Sequence, residues 1–365
     1  MIKCFAVSNS FQVDAQGNVK PCCKFKHPIK TISDYSNIDD VFTSLEMQNL
    51  KTSHDSGEWT PGCERCSMDE TSGIQSRRLM YDRLGLTTET DFFLDVSLGN
   101  YCNLKCRMCT PENSTKWITD YKLLLNQGLV NQKKYKNYLL SECDIDKICV
   151  FLETITGRVI IEVKGGEPLL MPNSFYFFNK LNECKNKVNF EIWVATNGTK
   201  IPKWFPELVK DFKKIELSVS VDGTDEVYEY IRGGNLDSYS KLLSNALSFT
   251  NLQNLKLRFN VVVQNLNIKN LPALYYDLYN ITKSHNDITL IILRYPEYYQ
   301  LNIFPDDKKA EVVESLKQGI ISENVNINSI IRLFLKENVP SSWEKFLKIT
   351  AVLDKSRKQD ISKII

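Results

Sequence analysis

Three cysteines fall close together in "GNYCNLKCRMC": Cys102, Cys106 and Cys109. A disulfide takes two thiols, and a tetrahedral zinc site usually takes four ligands. No His or Cys follows closely enough to complete a zinc knuckle. Three thiolates on one loop can instead hold three irons of a cubane four-iron four-sulfur cluster. Such clusters normally take four cysteines, so the fourth iron is left for a ligand from outside the chain. Five more cysteines precede residue 67: Cys4, Cys22, Cys23, Cys63 and Cys66. Spacing leaves this second group open between a structural zinc and another cluster, since both accept four thiolates. The other three of the 11 cysteines, Cys143, Cys149 and Cys184, are scattered and read as small apolar residues. With only 3 histidines, His27, His54 and His285, the chain does not look like a His-rich zinc or non-haem iron enzyme.

These cysteines must be held by regular elements, and the apolar pattern supplies them. Runs such as "FFLDVSL", "VIIEVKG", "FEIWVATNG", "IELSVSVDG", "LKLRFNVVVQ" and "ITLIILRYP" begin near residues 92, 159, 190, 215, 255 and 288. Helix-like segments such as "SFYFFNKLNECKN" and "LPALYYDLYNITK" lie between them. The alternation predicts βαβ units and a parallel sheet. Several strands end in polar or glycine-containing turns ("GNYC", "KGGEP", "ATNG", "SVDG"), and chemistry in such folds sits at the carboxyl ends of strands. The long gap after the first strand contains "NQGLVNQKKYKNYLLSECD", read as an inserted helical excursion. Residues 1–85 differ: "SFQVDAQGNVKPCC" predicts a hairpin, then a helical "IDDVFTSLEMQNLKT" and "CERC". A stretch so rich in cysteine and poor in core is best stabilised by metal. After residue 307 the pattern turns helical and carries no chemical signal.

The 365 residues are 42% hydrophobic and 25% charged, ordinary for a globular chain. At roughly 100–200 residues per domain, one large and one smaller domain are expected. A formal charge of +2 gives no bulk case for nucleic acid or an acidic membrane. No apolar run approaches the ~20 residues that span a bilayer, and the start lacks a signal-peptide pattern. A cytoplasmic location is expected, where clustered cysteines point to metal or catalysis more than to disulfides.

Cys102-x3-Cys106-x2-Cys109 after a first strand resembles the signature of the radical S-adenosylmethionine (radical SAM) superfamily. Gly165-Gly166-Glu167-Pro168, after the second strand, matches that family's GGEP motif, which holds the amino group of SAM. "ATNG" and "SVSVDG" match its later SAM-contacting strand ends, which makes Asn197, Ser220 and Asp222 candidates for the ribose or carboxylate. Arg232 falls where relatives often carry an arginine near the SAM carboxylate, and "NVVVQN" would supply an adenine-side strand. The resemblance implies a partial (β/α)6, TIM-like α/β barrel over residues 90–300 and a 4Fe-4S cluster on the three cysteines, with SAM chelated to the open iron. It also implies reductive cleavage of SAM to a 5′-deoxyadenosyl radical that abstracts hydrogen from substrate, a reaction of oxidoreductase or transferase type. One departure is Met108, where the family usually has an aromatic residue; a thioether can still pack against adenine.

The amino-terminal stretch is similar to the SPASM or twitch modules that carry auxiliary 4Fe-4S clusters, although those more often follow the barrel. The resemblance implies a single-cluster module over residues 1–85 with Cys4, Cys22, Cys63 and Cys66 as ligands and Cys23 as the alternative to Cys22. A fully ligated auxiliary cluster suits an electron relay. Residues 301–365 are expected to form a helical extension. The implied partners are an electron donor such as flavodoxin or ferredoxin, and a peptide or protein substrate. A small molecule (nucleoside, sugar or cofactor precursor) is the alternative substrate, and a non-catalytic iron–sulfur carrier the contrasting class. Arg294, Tyr295 and Tyr298, in "LRYPEYY", are placed near the barrel mouth.

Overall fold

The computed structural model describes residues 3–73, 75–133, 135–233, 238–248, 252–318, 327–336 and 340–365. Nine strands form one sheet in the order β3-β2-β1-β4-β5-β6-β7-β8-β9. Six are the expected parallel series: β4 (Phe92–Ser97), β5 (Val159–Lys164), β6 (Phe190–Thr196), β7 (Lys214–Ser220), β8 (Leu255–Val263) and β9 (Ile288–Ile292). The other three come from the amino-terminal stretch: β1 (Ser10–Val13), β2 (Asn18–Lys20) and β3 (Lys30–Thr31).

The expected hairpin is β1 and β2, turned at Asp14, whose carboxylate accepts the Gln16 and Asn18 amides at 2.8 and 3.0 Å. It does not stand apart from the larger sheet. β1 pairs in parallel with β4, Ser10 opposite Phe93 and Val13 opposite Val96. All four β1 residues are buried, so this short strand has a face for each side of the sheet.

Strand side chains alternate between faces, and the two faces differ. Phe92, Leu94, Val96, Ile161 and Val163 pack outward against helix residues such as Ile148, Leu152, Phe177 and Phe178. The opposite face carries a row of register neighbours across six strands: Gln12, Asp95, Glu162, Trp193, Glu216 and Lys256. At one end of it, Phe93, Ile160 and Trp193 pack with Phe5 and Tyr81 into an apolar plug. Tyr81 belongs to the helix Arg77–Leu84, whose Arg77 reaches Glu162 at 2.5 Å and Asp95 at 3.7 Å. Lys164 completes this network on Asp95 at 2.6 Å. The chain beyond β9 reaches the amino-terminal stretch: Arg294, just after β9, bonds Asp69 of the helix Glu64–Thr71 at 3.3 Å.

Two helical expectations need correction. "IDDVFTSLEMQNLKT" is not one helix but two, Asp39–Thr43 and Leu45–Asp55, broken at Ser44. Ser44 is extended and its hydroxyl caps the second helix by accepting from Met47 N, which ends the first. The excursion after β4 is helical only over Trp117–Asn126; residues 128–133 and 135–141 are irregular until the helix Glu142–Glu153. Beyond β9 the tail holds the helices Lys309–Gln318, Ile327–Phe334 and Pro340–Arg357, with 319–326 and 337–339 outside the described residues. Among the described residues no helix is long and apolar enough to cross a membrane.

Candidate functional site: two groups of thiols

Cys102, Cys106 and Cys109 lie on the loop after β4, at the carboxyl end of the sheet. The chain there is fixed by its neighbours rather than by regular structure. The GGEP loop after β5 is one partner: Glu167 N donates to Tyr101 O at 2.8 Å. Both glycines are required by this approach. Gly165 and Gly166 have φ of +80° and +52°, and a Cβ would stand 2.4 Å from Ser97 Oγ and 2.2 Å from Tyr101 O respectively. The family resemblance assigns these glycines to the SAM ammonium; the structure adds that a side chain at Gly165 would strike Ser97 and one at Gly166 would strike the cysteine loop at Tyr101. Pro168 is buried behind them and its carbonyl accepts from the Ser174 hydroxyl.

Glu167 is almost fully buried and accepts three hydrogen bonds. Thr196 Oγ1 and Leu169 N donate to one oxygen at 2.6 and 3.3 Å, and Asn197 N to the other at 2.6 Å. Burial nevertheless pushes its carboxyl up to about 7, against the pull of these donors and of Arg232. Asn197, at the end of β6, extends Nδ2 to Cys102 Sγ at 3.8 Å and to Asn103 Oδ1 at 2.9 Å. Its Oδ1 accepts from Thr199 N and Oγ1. Ser220 ends β7, half-buried and in register with Asn260 of β8.

Arg232 is buried and bonded to Asp222 through Nε and Nη2, both at 2.7 Å. The other oxygen of Asp222 accepts Val262 N at 2.7 Å. Both Asp222 oxygens are thus engaged, one by Arg232 and the other by the Val262 amide. Arg232 in turn lies close enough to all three thiols to lower them electrostatically. Burial wins: it pushes the Cys102 thiol up to about 12, and Cys106 and Cys109 also upward. Buried thiolates therefore need positive charge beyond Arg232, which coordinated iron would supply. Met108 packs with Tyr230, Leu266, Leu293 and Tyr299 beyond the ends of β8 and β9, in an apolar wall.

Two residues here, Arg107 and Trp117, had no signal in the sequence. Arg107 is fully buried between two cysteines, with its backbone N donating to Ile231 O at 2.7 Å. Trp117 Nε1 donates to Cys106 O at 2.5 Å. Tyr295 and Tyr298 line a cavity of about 520 Å³ together with Cys109, Trp117, Tyr121 and Tyr135. Arg294 faces another cavity of about 630 Å³, lined also by Cys23, Arg65 and Asp69.

The second group of thiols meets beside the plug. Cys4, Cys22, Cys63 and Cys66 line one small cavity with His54, Arg77, Arg78 and Tyr81. They come from the chain start, the turn after β2 and the first turn of the helix Glu64–Thr71. Burial pushes Cys4 up to about 11 and Cys63 to about 12, and raises Cys22 as well. His54 Nε2 lies 3.7 Å from Cys63 Sγ. Cys23 points elsewhere, into the cavity with Arg294. Among the described residues no three His, Cys, Asp or Glu close on one point as a single ion requires. A lone zinc, with Zn–S of about 2.3 Å, would hold its sulfurs about 4 Å apart; thiols around a multi-iron core stand wider. The donor sets, three thiols at one site and four at the other, fit two 4Fe-4S clusters, the first with an iron free for SAM. Of the scattered cysteines, Cys149 and Cys184 are buried as expected, whereas Cys143 is exposed.

Comparison with known proteins agrees with this layout. Residues 96–251 match the radical SAM superfamily, and residues 4–67 match SPASM, an iron–sulfur cluster-binding domain. Among curated proteins, the "Probable GTP 3′,8-cyclase" of Methanococcus aeolicus is 28% identical over 173 residues, 47% of this chain and 50% of that one. The GTP 3′,8-cyclase of Clostridium botulinum (strain Okra) is 26% identical over 53% of each chain. The chain spans about half the length of the curated relatives it matches. Among solved structures, anSMEcpe with bound AdoMet aligns over 62% of this chain and 56% of its own, at 18% identity and a TM-score of 0.45. Streptococcus suis SuiB bound to S-adenosylmethionine aligns over 76% of this chain and 59% of its own, at 15% identity and a TM-score of 0.40. The chain therefore carries a domain of the radical SAM superfamily, led on its amino-terminal side by an iron–sulfur cluster-binding SPASM domain.

Proposed function

We propose that the chain is a radical SAM enzyme that modifies a peptide or protein, with the amino-terminal cluster relaying an electron. The carrying observation is the joining of the three-cysteine loop to the GGEP loop by Glu167 N and two glycines that admit no side chain. Cys102, Cys106 and Cys109 would hold a cluster beside the GGEP loop, where, with SAM bound, it would supply the radical chemistry for taking a hydrogen atom from the substrate. The chain's own residues bind and orient. Cys102, Cys106 and Cys109 are the cluster ligands. Gly165, Gly166, Glu167 and Pro168 shape the pocket for the SAM amino group, with Glu167 supplying charge. Arg232, held by Asp222, faces the carboxylate, while Asn197 and Ser220 border the ribose. Cys4, Cys22, Cys63 and Cys66 hold the auxiliary cluster. The division is 1–85 for that module, 90–300 for the SAM barrel and 301–365 for the helical extension.

Two cavities, one of about 520 Å³ beside Cys109 and one of about 630 Å³ beside Cys23 and Arg294, support an extended substrate over an enclosed one. A nucleotide is the second reading, favoured by the GTP 3′,8-cyclases among the relatives. The electron donor would be a flavodoxin or ferredoxin in a cytoplasmic setting. The test is 5′-deoxyadenosine formation by reduced holoprotein with SAM, with peptide pools and, separately, GTP. Stimulation by peptides alone supports the first reading, and stimulation by GTP alone replaces it with the second. With a substrate in hand, Cys63→Ala/Cys66→Ala protein should still cleave SAM yet form no product; full product would remove the relay role.

A further inference from the structure

The helix Pro340–Arg357 and the turn after it are separated from the three-cysteine loop by more than two hundred residues, yet they hold it from behind. Three apolar residues, Phe346, Ile349 and Leu353, are fully buried and would dock the helix by themselves. The polar contacts are a separate matter, because they converge on the loop. Arg107, between Cys106 and Met108, sends Nη2 to Asp354 Oδ1 and to Gln359 Oε1, the latter at 2.9 Å. Its guanidinium lies 3.7 Å over the Tyr230 ring and its Nε donates to Tyr230 O at 3.0 Å. Tyr230 Oη donates to the same Asp354 oxygen at 3.0 Å, and Ile361 N to the other at 2.9 Å. Asp354 thus gathers the loop, the helix Asp225–Arg232 and the chain end on one carboxylate.

A second contact lies on the other side of the loop. Arg357 Nε donates to Asp120 Oδ2 at 3.0 Å, and the same carboxylate takes Lys105, itself in the loop, at 3.3 Å. The Arg357 guanidinium also sits 5.4 Å over the ring of Trp117, whose indole N–H holds the Cys106 carbonyl. Two ion pairs, Arg107–Asp354 and Arg357–Asp120, therefore tie the tail to the loop and to the helix Trp117–Asn126, whose Asp120 also holds Lys105 of the loop. A buried arginine needs such partners, since an unpaired charge there would be costly. Docking a helix, however, needs neither Asp354 nor Arg357.

Resting on the functional reading above, we propose that Asp354 and Arg357 are positioning residues for the SAM-binding cluster. They clasp the three-cysteine loop in the geometry that leaves one iron open to SAM. The experiment compares wild type with Asp354→Ala, Asp354→Asn and Arg357→Gln. Anaerobically reconstituted protein is read by electron paramagnetic resonance with and without SAM, and by SAM affinity. Cluster-free protein is read by hydrogen–deuterium exchange. Outer-shell partners of metal ligands typically affect binding by about 10- to 100-fold. Asp354→Ala is accordingly expected to weaken SAM affinity within that range while the auxiliary signal stays unchanged. Asp354→Asn, which keeps a carbonyl for Arg107, should fall between Ala and wild type. In cluster-free protein, amides 103–110 should exchange faster in both Asp354→Ala and Arg357→Gln, with those of Val159–Lys164 unmoved. Unchanged SAM affinity and exchange in the variants would overturn the clasp. So would joint loss of both cluster signals in Asp354→Asn and Arg357→Gln, which would make the tail a general stabiliser. If wild type itself lacks a SAM-responsive signal, the functional reading fails, and the exchange comparison still decides the clasp.

Discussion

Glu167 shows how one side chain can link three loops at the carboxyl end of a sheet. Its carboxyl accepts from Thr196, Asn197 and Leu169, while its own amide holds the cysteine loop at Tyr101. Burial raises its pKa from 4.5 to about 7 in the folded chain. In the cluster-free protein, folding therefore takes up a proton between these values. That contribution to stability is complete below about pH 4.5 and is lost as the pH rises through about 7. Urea unfolding from pH 4 to 8 should show a steeper falling limb in wild type than in Glu167→Gln, which keeps only the buried Asp95 and Asp222, both also raised by burial. The glutamine amide would also turn a donor toward the Asn197 N–H, and an unsatisfied buried donor costs about 1–3 kcal/mol. At this scale the sequence was informative where chemistry is local: cysteine spacing and the GGEP run are adjacent residues. It was silent on Arg107 and Trp117. Their partners, Tyr230, Asp354 and the Cys106 carbonyl, are set by folding, and an arginine among cysteines has no period to betray burial.

At the scale of elements, the six parallel strands were legible because both of their faces, or alternate residues, are apolar. β1 was legible as half of a hairpin but not as a neighbour of β4, since a four-residue strand carries no mark of its parallel partner. The joint is held by Phe11, fully buried and packed edge-on or tilted against Phe42, Phe92 and Phe151 with ring centroids about 6 Å apart. Phe11→Ala should cost about 3–5 kcal/mol of unfolding free energy by denaturant titration, the range for emptying a buried aromatic site. Because β1 pairs with β2, which leads to the turn bearing Cys22, the same variant should lose auxiliary-cluster iron first. A stability loss under 1 kcal/mol would show that β1 is not what seats the hairpin on the sheet. The helix break at Ser44 escaped the sequence because a serine inside an amphipathic run reads equally as solvent face or as cap.

Seen whole, the molecule sets two thiol centres at different levels of one sheet. The three-cysteine site stands at the strand ends, and the four-cysteine site lies beside the apolar plug of Phe5, Tyr81, Phe93, Ile160 and Trp193. Between them lies the charged row of Asp95, Glu162, Lys164 and Arg77. Arg294 and Asp69 tie the segment after β9 to the amino-terminal helix Glu64–Thr71, and the carboxyl-terminal helix backs the cysteine loop. None of these long-range ties has a sequence signature, because each depends on residues that only the fold brings together. The central claim is that both centres hold clusters and only one of them is open to SAM. Iron and sulfide content of anaerobically reconstituted protein, with electron paramagnetic resonance of the reduced state before and after SAM, tests it directly. The account predicts about eight irons per chain, four for each cluster, with one signal that shifts on SAM and one that does not. Four irons, or two signals that both ignore SAM, would contradict it.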